Sequence, residues 1–137
     1  MTGPGVLPVV IMPDAEEIAV AFLAETFPDV QVVTELYVGF EDELPVMRVS
    51  RIGGAQVRPL VLDGPLIDID VYHRSRIEAS QLCREVAAHM WTAKARTYAG
   101  GLITSVEEGI GPSWRPEPNP ALYHFGCQYV LTIRPTT

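Results

Sequence analysis

Cationic side chains are scarce in this chain. Of its 137 residues only 10 are lysine or arginine, against 17 aspartate and glutamate, and Lys94 is the sole lysine. A formal net charge of -7 excludes a surface that wraps nucleic acid or docks on anionic lipid through bulk charge, since both need clustered cations. Cysteine is nearly as sparse. Cys83 and Cys127 are too few for a disulfide framework and too far apart in sequence for a metal-type pair. They read as small buried hydrophobes in a reducing compartment. No run approaches the ~18 apolar residues that a transmembrane helix needs. The apolar start, Met1 to Met12, has no basic leader and is interrupted by prolines, so it does not read as a signal peptide. The expectation is a soluble protein made inside a cell. Also missing are a Gly-x-Ser-x-Gly elbow, a Walker A loop, a dinucleotide fingerprint and a Cys-x-x-Cys pair.

Apolar residues at 47% and charged residues at 20% describe a chain that folds rather than a disordered tail. The length suits one domain that buries about two-thirds of its unfolded surface. The 12 prolines and 11 glycines imply turns and irregular connections. They concentrate in an extended N-terminal arm (residues 1–12), around residues 53–65, and in a Pro-rich loop or arm at 109–120. Residues 13–137 then form a single domain.

Two helices are legible. Asp14 can cap the first, with Glu17 three residues on, and Ile18, Phe22 and Leu23 form its apolar stripe before Pro28. Ser75 and Glu78 form a capping box for the second, whose stripe is Ala79, Leu82, Cys83, Val86, Met90 and Ala93. Val30 to Gly39 and Leu44 to Ile52 read as a β-hairpin, with Gly53-Gly54 ending its second strand. Leu66 to Arg74 alternates cleanly, with Ile67, Ile69 and Val71 on one face and Asp68, Asp70 and Tyr72 on the other. Leu102 to Glu108 and Leu122 to Arg134 complete the strands. The order α-β-β-β-α-β-β predicts an α+β fold: one mostly antiparallel sheet of about five strands, with both helices on one face.

Three groups of residues are candidates for function. Asp68 and Asp70 point the same way and would suit a hard cation such as Mg²⁺, although His73 falls on the opposite face of an ideal strand. That group defines a small ligand-binding or metal-dependent α+β domain with its site at Asp68, Asp70 and His73. Counting about 100° per residue, Trp91 joins Ile77, Ala88 and Ala95 on a second, weaker apolar face of the helix. It is either an interface anchor or a ring packed under a neighbouring loop. Trp114 and Arg115 lie in the Pro-rich segment, either presented by a stiff arm that loses little entropy on docking or folded back to cap the sheet. Glu107 and Glu108 alternate across a strand and make a poor acid–base couple.

The stretch Leu66-Ile67-Asp68-Ile69-Asp70-Val71-Tyr72-His73-Arg74-Ser75, running on into Glu78 to Val86, resembles the tail terminator (tail completion) proteins of long-tailed bacteriophages. The opening helix, Pro28 and the following β pair are similar as well, so that the likeness spans residues 14–134. The resemblance implies a structural virion protein without catalytic residues, metal or cofactor. It implies a homo-oligomeric ring, commonly a hexamer, that caps the tail tube and meets a head-side connector while DNA passes through. It places the protein in the tail or neck of the virion, and in the host cytoplasm during assembly. Ring subunits need two heterologous patches, for which Trp91, Ile77, Ala88, Ala95, Trp114 and Arg115 are candidates. Asp68, Asp70, Glu107 and Glu108 are candidates for an acidic stripe facing the lumen or solvent, which would not grip phosphate. Another head–tail connector or neck component is the alternative within this class.

Overall fold

A computed structural model of the chain describes residues 9–136. Most of the predicted arm lies outside the described residues; Val9 and Ile11, at its end, are exposed. The elements are α1 (Ala15–Thr26), β1 (Gln31–Val33), β2 (Val46–Arg58), β3 (Leu62–His73), α2 (Arg76–Met90), β4 (Thr97–Tyr98), β5 (Gly101–Trp114) and β6 (Tyr123–Pro135). Six strands form one sheet in the order β1-β2-β3-β6-β5-β4. All neighbours are antiparallel except β1 and β2. This is the expected α+β architecture with one strand more, because Thr97–Tyr98 adds a two-residue edge.

Both helices begin where their caps predict. Asp14 Oδ1 accepts the amides of Glu16 at 2.9 Å and Glu17 at 3.3 Å. Ser75 Oγ accepts the Glu78 amide at 3.1 Å. Each helix thereby satisfies amides that have no partner within the helix. The stripes Ile18, Phe22, Leu23 and Ala79, Leu82, Cys83, Val86, Met90 are buried. They pack on the apolar face of the sheet, which carries Met47, Val49, Ile67, Ile69, Val71, Cys127, Tyr129, Leu131 and Ile133. Burial of that face supplies the main driving force for folding.

Three connections differ from expectation. Residues 30–39 do not form a hairpin with residues 44–52. Only Gln31–Val33 is a strand, and it runs parallel to Val46–Arg48. The chain turns through a short 3₁₀ segment at Phe40–Asp42 after Gly39 at φ 87°. Leu36 and Phe40 are spent on a second cluster with Leu44, Val46, Tyr72 and Leu122 under the other sheet face. Gly53-Gly54 does not end β2 either. The pair stays in the ladder opposite Leu66 and Pro65, just past a bulge at Ile52, inside a long β2–β3 hairpin. Gly54 has φ +85°, and a Cβ there would lie 2.1 Å from the Gly64 carbonyl oxygen, so only glycine lets the strands close. Finally, the Pro-rich segment is a loop only after Arg115. β5 continues to Trp114 through register shifts around Ile110. A strand at an irregular edge tolerates Pro112, whose missing donor is not required there.

Candidate functional site

The helix-free face of the sheet holds a compact ionic cluster. β3 presents Asp68 and Asp70, β2 presents Arg48 opposite Asp70, and β6 presents His124. Arg115, just past the end of β5, folds back over them. Its Nη2 donates to Asp68 Oδ1 at 2.8 Å, and its Nη1 donates to Asp68 Oδ2 at 3.0 Å and to Asp70 Oδ1 at 2.6 Å. Arg48 donates to Asp70 Oδ2 from Nε at 3.0 Å and from Nη2 at 2.7 Å. His124 Nε2 lies 2.5 Å from Asp70 Oδ1. An ionised carboxylate only accepts, so this nitrogen carries the proton. The Tyr72 ring stacks on His124 with centroids 4.2 Å apart.

Gly126 makes the cluster possible. It pairs with Asp70 across the ladder, and a Cβ there would sit 2.2 Å from Arg115 Cζ. The bare backbone is the slot in which the guanidinium lies. The Arg115 amide closes the same corner by donating to the His124 carbonyl at 2.8 Å.

Charge and burial reinforce each other here. Burial acts to raise the pKa of Asp70, which is 1% exposed, but the hydrogen bond from His124 and the pairing with Arg48 outweigh it and hold the carboxyl well below the usual carboxylate range. The hydrogen bonds to Asp68 and Asp70 hold Arg115 more firmly charged than usual, against the opposing effect of burial. Burial, with the Asp70 charge beside it, pushes the Tyr72 hydroxyl up to about 12. Two guanidinium groups face two carboxylates across the cluster. All four carboxylate oxygens accept a hydrogen bond, and no buried side-chain polar atom among the described residues lacks a partner. Such an arrangement cross-links three strands and a loop; a buried pair of this kind costs several kcal/mol to break from one side.

The predicted site residues therefore separate. Asp68 and Asp70 do come together, but their oxygens are occupied by guanidinium groups and they do not face solvent, so they form no open stripe. His73 is not with them. Its Nδ1 accepts the Arg74 amide at 2.9 Å and lies 3.6 Å from Glu78. Among the described residues no three His, Cys, Asp or Glu side chains are grouped to hold a metal ion. Arg115 is turned inward rather than presented. Trp114 folds back, 5.6 Å from Phe125, with Arg76 stacked 4.3 Å above it. Trp91 leans edge-on against Tyr129 and stays 49% exposed. Ala95 is not on the helical face, because α2 ends at Met90 and Ala95 has φ 71°. Ile77 is exposed at the other end of α2, fourteen residues or about 21 Å from Trp91, so these two do not form one patch. Glu107 and Glu108 are exposed on β5, and Glu108 accepts the Tyr129 hydroxyl at 2.8 Å.

His124 and Gly126 complete the cluster without a sequence signal of their own. The available hint was Arg48 inside an alternating strand, on the face that would meet Asp70.

A groove of about 300 Å³ beside the start of α2 is lined by Pro45, His73, Ile77, Leu82, Glu78 and Glu85. No described helix is long and apolar enough to cross a membrane.

The fold and this cluster define an α+β domain whose polar chemistry ties strands together through an ionic cross-link on its helix-free face. Comparison with protein families identifies it further. The family described as phage tail termination protein matches residues 11–135, and the chain belongs to that family. Comparison with individual curated proteins gives no match.

Proposed function

We propose that this phage tail protein acts as a ring at the end of the tail tube, where it stops tube growth and offers its far face to a head-side connector. The family match over residues 11–135, nearly the whole chain, carries this reading. The role is structural and non-enzymatic, and neither metal nor cofactor takes part. Subunits join head to tail, the contact type that closes into rings; a hexamer is the expected size. Exposed Trp91, Ile77 and Ala88 are available for contacts between subunits or with the tube. Trp114 and Arg115 hold the chain's own sheet. Glu107 and Glu108 are the acidic residues left to face a lumen, through which DNA passes without being gripped. The protein assembles in the host cytoplasm and ends in the virion tail or neck.

Light scattering after size-exclusion chromatography, followed by negative-stain microscopy with and without purified tail tubes, tests this. A ring of defined copy number, either free or on tube ends, is expected. A monomer that neither assembles nor binds tubes overturns it. Substituting Glu107 and Glu108 by lysine tests the lumen: new DNA affinity in a gel shift is expected, and assembled rings with none overturn that part.

A further inference from the structure

The β2–β3 hairpin ends in an apolar tip that the fold does not use. Val57 is 63% exposed, and Leu60 and Val61 are also uncovered. Leu60 has φ 64°, a left-handed backbone that a leucine adopts only at a cost. The turn is nonetheless well tied: Gln56 Oε1 accepts the Leu60 amide at 3.1 Å, and the Arg58 carbonyl accepts the Val61 amide at 3.0 Å. A strained, pre-ordered, apolar turn in solvent is the form of a plug, since little entropy remains to be lost on docking. Arg58 is its one charged residue and has no ion pair among the described residues.

The groove beside α2 is its complement. Pro45, Ile77 and Leu82 line it together with Glu78, which accepts the Ser75 hydroxyl, and Glu85. In a chain with few cations, an apolar tip bearing one free arginine matches a largely apolar groove that Glu85 also lines. The tip cannot reach its own groove. β3 runs from Leu62 at the tip to His73 at the groove, and twelve extended residues span about 40 Å.

We infer that the β2–β3 tip of one copy docks in the α2 groove of the next, with Leu60 seated between Ile77 and Leu82 and Arg58 against Glu85. Two different patches at opposite ends of the molecule make this a heterologous contact. The inference rests on the ring reading above and names the surfaces that build it.

Charge exchange tests it by sedimentation of the full chain, alone and on tail tubes. Arg58→Glu and Glu85→Arg should each weaken self-assembly about tenfold or more, and the two together in one chain should restore it. Leu60→Asn suits the left-handed turn and removes the apolar plug. It should weaken assembly while leaving the melting temperature of the monomer unchanged or higher. If wild type assembles and these variants assemble equally well, or if the double exchange gives no rescue, tip-in-groove docking is wrong and the ring stands. If the variants form rings but lose tube binding, the tip's partner is the tube and the inference falls. If wild type never assembles, the ring reading fails first and takes the inference with it.

Discussion

Replacing Gly126 by alanine should unseat Arg115 and measure the value of the ionic cluster. The new Cβ would lie 2.2 Å from Arg115 Cζ and 2.4 Å from its Nη1, far inside van der Waals contact. Gly126 is not at a positive φ, so alanine meets no backbone penalty. The guanidinium must therefore leave, and Asp68 loses both of its hydrogen bonds while Asp70 retains Arg48 and His124. Breaking a buried pair from one side costs about 3–5 kcal/mol. The Arg115 side chain is 23% exposed and Asp68's 13%, so the lower figure, about 3 kcal/mol, applies after discounting for solvent screening. For a domain of this length that lowers the melting temperature by about 10 °C. Thermal and urea unfolding followed by circular dichroism read it directly. A double-mutant cycle with Arg115→Met separates eviction from simple crowding: with the guanidinium gone, the alanine should cost under about 1 kcal/mol. A Gly126→Ala protein that melts with wild type, or a cost undiminished in the Arg115→Met background, refutes the slot.

Three further outcomes follow from the same geometry. Asp70 has a folded pKa below its ordinary value of 3.8, so its stabilisation is present above that pH and is lost as the pH falls through the lowered value; the urea midpoint of wild type should drop below pH 4, and Asp70→Asn should flatten that drop while destabilising the protein at pH 7. Gly54→Ala adds a left-handed alanine and a clash with the Gly64 carbonyl, so amide exchange should rise along residues 53–65; unchanged exchange would contradict that close approach of the strands. Ser75→Ala removes the cap on α2 and should cost about 1 kcal/mol, with Ser75→Asp close to wild type in chemical denaturation.

The parts legible in the sequence are those whose physics is local. Asp14 and Ser75 cap amides two or three residues away, and the helix stripes repeat within four, so spacing alone determines where each helix starts and which side it buries. Alternation along Leu66 to Arg74 likewise sorts Ile67, Ile69 and Val71 from Asp68 and Asp70. The family resemblance rests on these same stretches and agrees with the match over residues 11–135. What alternation cannot say is what lies opposite. Whether the polar face of β3 meets water, a metal or an arginine depends on residues far away in sequence, and only strand order and register bring Arg48, Arg115, His124 and Gly126 to it. The same limit explains β1, where β-forming residues predicted a hairpin but Leu36 and Phe40 gained more by covering Tyr72. Local propensity set the elements of this protein. Tertiary packing decided their partners, and it turned a pair of aspartates that looked open to solvent or metal into the buried anchor for an arginine.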